Sequence, residues 1–196
     1  MHYDPREAGP QFALTALVLP RPIGWISTIG TDGIINLAPY SFFNAIAGRP
    51  PFVMFASSGR KDSQRNAEET GEFVCNLATF DLREELNATS SGVASNIDEA
   101  ALAGLEMAPS LNVFPPRVRR TPIALECVTT NSIPLTSRDG KVSRNTVIIG
   151  EVIGIYIDDA VLTDGKIDVL KLRPISRLGY DEYAVTDGVF TMTRPD

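Results

Sequence analysis

Residues 19–44, LPRPIGWISTIGTDGIINLAPYSFFN, decide the fold of this chain. Two apolar runs flank Gly30-Thr31-Asp32-Gly33, whose Asp-Gly step supplies the positive φ angles of a tight reversal. We expect a β-hairpin because the flanking residues favour strands; they are Trp25, Ile26, Ile29, Ile34, Ile35 and Leu37. Pro39 has no amide donor, so we expect regular pairing to end there. The aromatic segment that follows, up to Asn44, would then be free to address a ligand.

The composition is that of an ordinary soluble domain. The chain has 196 residues, of which 43% are hydrophobic, so one domain over residues 1–196 is expected. A net charge of −6 argues against binding to a nucleic-acid backbone. No apolar run approaches the roughly 20 residues of a membrane-spanning helix, and the polar start is not a signal peptide. We therefore expect a cytoplasmic protein without nucleic-acid or membrane partners.

Histidine and cysteine usage narrows the possible chemistry. The sole histidine is His2, which argues against catalytic triads and zinc sites built on histidine. Cys75 and Cys127 each lie in an apolar, strand-like run, so we expect two buried thiols and no metal. The chain also lacks G-x-G-x-x-G after a strand and lacks the P-loop signature. The common nucleotide-binding folds are therefore not expected.

The rest of the chain predicts a mainly β protein with two or three helices. Further strands are expected at residues 52–56, 72–78, 123–129 and 145–158, with turns at 137–140 and 163–165. The first expected helix covers residues 62–70, with Asp62 or Ser63 as N-cap and Gly71 just beyond its end. A second helix is expected to begin with a capping box formed by Asp81 and Glu84 and to end near Thr89. A third, short helix is expected at residues 98–103. A short helical turn is expected within residues 1–19, a surface excursion at 108–120, and a packed tail at 174–183. This pattern favours a small β-barrel.

Residues 57–63, SSGRKDS, have the features of an anion site. Hydroxyls, loop amides beside Gly59, two cations and a helix start all favour a bound phosphate. The alternative is that Asp62 or Ser63 only caps a surface helix while the cations are solvated. Taken alone, the segment fits that alternative better.

Residues 36–44, NLAPYSFFN, suit the faces and edge of a flat heterocycle. The segment combines aromatic and apolar side chains with the amides of Asn36 and Asn44. The alternative is an aromatic strand end that plugs a barrel, and it too fits the isolated segment better. Together with residues 57–63, however, the segment indicates a ring pocket and a phosphate pocket on one chain. That combination points to a phosphorylated flavin or a similar nucleotide.

Several motifs, in order and spacing, resemble those of the flavin reductase-like FMN-binding split-barrel proteins. They are residues 20–28, 36–44, 61–63 with Asn66, 70–74, 76–77, 149–152 and 177–180. The resemblance covers nearly the whole chain. It implies a six-stranded split β-barrel that forms a homodimer and holds FMN noncovalently near the subunit interface.

The resemblance also implies which residues contact the flavin. Residues 27 and 28 lie where the family's first strand meets the flavin, residues 36–41 border the ring, and residues 57–63 hold the phosphate or ribityl chain. The implied set is Ser27, Thr28, Asn36, Ala38, Pro39, Tyr40, Ser41, Ser57, Lys61, Asp62, Ser63 and Asn66. Lys61 and Arg60 would neutralise the phosphate, and the resemblance identifies no catalytic residue.

One departure from the family pattern concerns the electron donor. Dedicated NAD(P)H:flavin reductases of the family carry a late histidine motif, whereas this chain has Arg177, Gly179, Tyr180 and Tyr183 there. The leading hypothesis is an FMN-dependent oxidoreductase that passes hydride or electrons from a donor such as NAD(P)H to another acceptor. Two alternatives stay open: an NAD(P)H:flavin reductase with FMN as a diffusing substrate, and a non-catalytic electron carrier like flavoredoxin.

Overall fold

The structure is a computed structural model that describes Asp4, Gly9 and residues 14–195. Its strands are β1 Arg21–Pro22, β2 Gly24–Ile29, β3 Ile35–Tyr40, β4 Phe43–Gly48, β5 Pro51–Ser58, β6 Glu72–Leu77, β7 Met107–Ala108, β8 Arg117–Val118, β9 Ile123–Thr136, β10 Val142–Ile157, β11 Leu162–Thr163, β12 Lys166–Ile167, β13 Ile175–Arg177 and β14 Tyr183–Val185. The helices are α1 Asp62–Glu69, α2 Arg83–Ala88, α3 Glu99–Leu102 and α4 Val169–Leu172. The mainly β prediction is confirmed. The helical turn predicted within residues 1–19 is present as a 3-10 turn at Leu14–Ala16. The single histidine, His2, lies outside the described residues.

The main sheet contains seven strands in the order β3-β2-β6-β9-β10-β5-β4. All neighbouring strands in it are antiparallel. The predicted first hairpin is confirmed, since β2 pairs with β3 from Gly24↔Tyr40 to Ile29↔Ile35. Gly33 closes its turn with φ of 82°. Within residues 14–195, β3 and β4 form the two edges and do not pair with each other, so the sheet stays open.

The prediction that Pro39 ends regular pairing is wrong. Pro39 pairs with Trp25, and β3 continues to Tyr40. The strand tolerates proline because β3 lies at the edge of the sheet, where a missing N–H breaks no second ladder. The segment after it forms β4, which pairs with β5 and adds a seventh strand to the expected six. Its small residues, Ala45, Ala47 and Gly48, gave no strand signal.

The two mid-chain helices form as predicted, but with different caps. The N-cap of α1 is Lys61, and no side chain caps that end, so Asp62 and Ser63 are not the cap. Gly71 does follow the helix end, with φ of 78°. A 3-10 turn, Phe80–Leu82, precedes α2, so Leu82 takes the N-cap position and the predicted capping box does not form. The short helix predicted at residues 98–103 is present as α3, and the Asp98 side chain caps it by accepting a hydrogen bond from the Ala101 amide.

Strand β2 is buried on both faces of the main sheet. Trp25 and Ile26 are adjacent on β2 and fully buried, and their side chains point to opposite faces. Trp25 packs in a cluster with Leu37, Leu82, Leu86, Val118 and Ile175, and Ile26 packs in a second cluster with Phe55, Phe73, Cys75, Cys127 and Ile148. Both thiols are free and buried, as predicted.

The tail packs on the body, as predicted from its composition. Strand β13 pairs with β1, with Arg21 opposite Arg177, and β14 adds a third strand to this small sheet. Among the described residues, no helix combines the length and the apolar character needed to cross a membrane.

Candidate functional site

A cavity of about 500 Å³ lies where the end of β3 meets the start of α1. Eight of the twelve residues implied to contact a flavin line it: Asn36, Ala38, Pro39, Tyr40, Ser41, Lys61, Asp62 and Ser63. The ring segment and the anion segment, which are some twenty residues apart in the chain, therefore form walls of one cavity. This is the candidate functional site.

The start of α1 provides uncapped amides at one end of the cavity. Lys61 is the N-cap residue, and its own amide donates to the Gly59 carbonyl at 2.9 Å. Gly59 adopts φ of 79°, which glycine accommodates without strain, and its amide donates to Arg144 O at 2.8 Å. The first amides of a helix have no partner within the helix, and the helix dipole makes this end positive. This end of α1 is thus suited to an anion.

The cations at this end differ in their availability. Arg60 is paired with Glu68 and Glu69, both at 3.0 Å, and Arg65 is paired with Asp62 at 2.7 Å. No ion pair involves Lys61 among residues 14–195, although it lines the cavity. Lys61 can therefore neutralise a bound anion without breaking an ion pair with another described residue, whereas Arg60 and Arg65 cannot.

Buried hydrogen bonds connect β3, β2 and α1 behind the cavity wall. The Asn36 Nδ2 amide donates to Ser63 Oγ at 2.8 Å and lies 3.3 Å from Thr28 Oγ1. Asn66 Nδ2 donates to the same Thr28 oxygen at 3.1 Å. All four residues are buried. These bonds hold the start of α1 against the first hairpin.

Tyr40 presents a buried hydroxyl at the cavity. Its oxygen is buried and has no hydrogen-bond partner of normal geometry in the described chain. Burial raises the pKa of the phenol, while the nearby hydroxyls of Ser63 and Ser57 act in the opposite direction. A buried polar atom without a partner is costly, so a ligand that hydrogen bonds Tyr40 would be favoured.

Four implied contact residues do not line the cavity. Thr28 and Asn66 belong to the hydrogen bonds behind its wall. Ser27 Oγ donates to Pro116 O at 2.6 Å, and Ser57 Oγ donates to Gly59 O at 2.9 Å. Ser57 thus shapes the loop before α1, and Ser27 faces the 108–120 excursion. Flavin contacts from these four side chains, like those from the eight residues that line the cavity, stay a prediction.

The sequence reasoning missed the third wall of the cavity, which is formed after α2. It comprises Thr89, Ser90, Ser91, Gly92, Val93, Ser95 and Glu99. Trp25 Nε1 donates to Thr89 Oγ1 at 2.9 Å, which joins this wall to the core. The run of small polar residues at 90–95 predicted a loop, but nothing in its pattern indicated that it lies beside residues 36–41.

Glu99 is a buried carboxyl group in this wall. It is 8% exposed, and its Oε2 accepts a hydrogen bond from the Leu37 amide at 3.2 Å. Burial raises the pKa of this carboxyl group, and the charges of Asp62 and Asp98 raise it further. The cavity thus contains both the positive end of a helix and a carboxyl group whose pKa is raised by its surroundings.

The chain belongs to the flavin reductase-like family, since residues 16–173 match the family described as "Flavin reductase like domain". It is 36% identical over 188 residues to an uncharacterized Halalkalibacterium halodurans protein, covering 93% of this chain and 89% of that one. The structure is similar to that of nitrilotriacetate monooxygenase component B from Bacillus cereus, with a TM-score of 0.90, 31% identity and 98% coverage of both chains. A split barrel domain structure from Shewanella frigidimarina NCIMB 400 shares the fold, with a TM-score of 0.86, 21% identity and full coverage of both chains. The predicted family and split-barrel fold are confirmed.

We expect Glu99→Gln to change the pH dependence of stability. A raised pKa in the folded state means that the stability contributed by the Glu99 carboxyl group is fully present below the ordinary glutamate pKa of 4.5 and is lost as pH rises through the folded value. The glutamine is uncharged and keeps an oxygen for the Leu37 amide. The free energy of unfolding of Glu99→Gln minus that of wild type should therefore increase with pH, as measured by urea denaturation at several pH values.

The control for this experiment is Glu182→Gln, which changes an exposed glutamate. Its difference from wild type should stay flat over the same pH range. A flat difference for Glu99→Gln as well would show that the Glu99 carboxyl group ionises normally.

Proposed function

We propose that the chain is an FMN-dependent oxidoreductase that binds FMN in the cavity between β3, α1 and residues 89–95. One observation carries the proposal. The uncapped start of α1 and Lys61, which forms no ion pair with another described residue, share a cavity with the apolar and aromatic end of β3. A phosphate and a ring could thus be held in one cavity. This supports a flavin site over the two alternatives, which were a helix cap for residues 57–63 and a barrel plug for residues 36–44.

The residues at the start of α1 would bind the FMN phosphate. The amides of Asp62 and Ser63 are the first of the helix and have no partner within it. Lys61 adds a charge-assisted hydrogen bond, and such bonds are stronger than neutral ones. One helix end with one free lysine suits a single terminal phosphate, which supports FMN over FAD and riboflavin.

The residues of β3 would bind and orient the ring. Ala38 and Pro39 offer an apolar surface, Ser41 offers a hydroxyl, and the Tyr40 hydroxyl is a donor without a partner among the described residues. Hydrogen bonds to the ring edge fix its orientation, and the buried walls exclude water from one side. The bound flavin would supply the redox chemistry by accepting and releasing hydride or electrons.

Family membership supports the oxidoreductase class for this chain. The relative from Bacillus cereus is named as a component of a monooxygenase, which is itself an oxidoreductase. We propose a nicotinamide nucleotide, NADH or NADPH, as the electron donor. The acceptor would approach the flavin at the exposed side of the cavity, near Phe42.

Lys61→Ala should weaken FMN binding and leave riboflavin binding almost unchanged. Removing one partner of a charge-assisted hydrogen bond costs about 1.5–3 kcal/mol, which corresponds to roughly a ten- to hundredfold loss of affinity. Riboflavin lacks the phosphate and makes no such contact. The measurement is the ratio of FMN to riboflavin affinity, obtained from quenching of flavin fluorescence in wild type and variant.

Arg60→Ala is the matched control, because Arg60 is adjacent but is already paired with Glu68 and Glu69. It should change the affinity ratio far less than Lys61→Ala. Equal weakening of both flavins by Lys61→Ala would give Lys61 a structural role only. No change in either affinity would place the phosphate elsewhere.

We further propose a homodimer that covers an apolar face of β10. Ile153, Ile155 and Ile157 lie near the end of this strand and are all exposed. Exposed apolar patches of this kind mark interaction surfaces. A second copy of the chain is the occupant implied by the family resemblance.

Light scattering should therefore give about twice the chain mass of 21.3 kDa. Ile155→Lys places a charge in the patch and should shift the protein towards the monomer. Leu111→Lys is the control, because Leu111 is 94% exposed and belongs to no strand. A wild-type monomer with full FMN occupancy would contradict the dimer.

A further inference from the structure

A second cavity, of about 480 Å³, adjoins the candidate flavin cavity. The two cavities share Pro39, Ser41 and Ser90 in their walls. A ligand in the second cavity would therefore lie next to the proposed ring site. The far wall of the second cavity includes two arginines, Arg21 and Arg177.

Arg21 brings a buried positive charge to this cavity. It is 6% exposed, and its guanidinium donates to the carbonyl groups of Thr15, Val18 and Leu178. Its Nε–H is buried and has no hydrogen-bond partner among the described residues. The described chain places no carboxylate within ion-pair distance of Arg21. The carbonyl groups solvate the guanidinium, but they do not neutralise it.

Arg177 brings a second positive charge with a weak counterion. Its guanidinium donates to Tyr180 O, lies 4.5 Å from the centre of the Tyr183 ring, and pairs with Asp181 at 3.3 Å. The Asp181 side chain is fully exposed, so water screens this ion pair. The two arginines and one screened carboxylate leave a net positive charge at the cavity. Burial and the charge of Arg177 lower the pKa of Arg21, as expected for neighbouring cations without a buried counterion.

A buried charge without a partner is costly, and an anionic group next to it recovers that cost. Arginine also binds carboxylate and phosphate oxygens through two parallel hydrogen bonds. The cavity is large enough for a small organic anion, and its polar walls suit one. The second cavity therefore has the size and the charge of a site for a small anion, and it is separate from the start of α1, where we propose that the FMN phosphate binds.

We propose that Arg21 and Arg177 bind the anionic oxygen group, a carboxylate or a phosphate, of the molecule that exchanges electrons with the flavin. This proposal rests on the proposed function, because the flavin cavity is what gives the adjoining site its purpose. The anion would lie at the arginine wall, and the rest of the molecule would extend towards Pro39 and Ser41. Arg177 is thus expected to determine specificity for an acidic substrate.

The test is a titration of the FMN-loaded protein with benzoate, a carboxylate probe, and with benzamide, its neutral analogue. Binding is followed by calorimetry and by the shift in the visible spectrum of the flavin. Benzoate should bind more tightly than benzamide. Arg177→Gln should weaken benzoate binding roughly ten- to a hundredfold and leave benzamide unchanged. Equal affinities for benzoate in wild type and Arg177→Gln would overturn the proposal.

Two further variants separate charge from folding. Arg173→Gln is the matched control, because Arg173 stacks on Phe80 and pairs with Asp81 but does not line the second cavity. It should leave benzoate binding unchanged. Arg177→Lys keeps the positive charge and should retain more benzoate affinity than Arg177→Gln. Equal losses in both Arg177 variants would show that the residue only holds the tail in place, and would overturn the proposal.

Competition identifies the source of the anion. If benzoate and inorganic phosphate slow flavin reduction by NADH competitively, the site binds the donor's phosphates. If they bind but do not compete with NADH, the site binds an acidic acceptor. Either result supports the proposal, whereas binding of neither anion contradicts it.

The same experiments distinguish this proposal from the proposed function. The calorimetric titration with benzoate is repeated on the protein without FMN, so a failure to bind FMN does not hide the anion site. Arg177→Gln should bind FMN as tightly as wild type. A loss of FMN affinity like that expected of Lys61→Ala would mean that Arg177 holds the cofactor phosphate, and would overturn both placements.

Discussion

The side-chain amide of Asn36 links the elements that form the candidate site. It donates to Ser63 at the start of α1 and lies close to Thr28 on β2, while Asn36 itself belongs to β3. Because these groups are buried, leaving any of them unpaired would be costly. The helix end is therefore held at a set position beside the end of β3. This link helps to keep the uncapped amides of α1 and the aromatic strand end at one cavity.

The electrostatics of the site follow from this placement. The dipole of α1 and Lys61 make one end of the cavity positive, while Glu99 forms part of the opposite wall. Burial raises the pKa of the Glu99 carboxyl group, and the charges of Asp62 and Asp98 act in the same direction. Arg60 and Arg65 are paired with carboxylates on α1, so they add little net charge to this end of the cavity. A second positive region, at Arg21 and Arg177, lines the adjoining cavity.

Local sequence features predicted much of the fold. The Asp-Gly turn predicted the first hairpin, and Gly71 predicted the end of α1. These signals work because each depends on backbone geometry within a few residues. The continuation of β3 through Pro39 was not predictable in this way, since it depends on β3 being an edge strand.

The same distinction between local signals and tertiary structure applies to the candidate site. Residues 36–41 and 61–63 carry recognisable motifs, and the fold brings them together as the family resemblance implies. The wall at residues 89–95 contains only small polar residues, and its place depends on the bond from Trp25 to Thr89. The positive charge of Arg21 is visible in the sequence, but its burial opposite Arg177 is a product of tertiary pairing between β1 and β13.

An anaerobic spectral titration of the purified protein tests the central claim most directly. The account predicts that the protein stays yellow after dialysis, that the released pigment is FMN, and that NADH or NADPH removes the visible flavin absorption. A protein that is colourless and does not bind added FMN would contradict the cofactor assignment. A yellow protein whose flavin neither nucleotide reduces would contradict the proposed donor and favour an electron carrier.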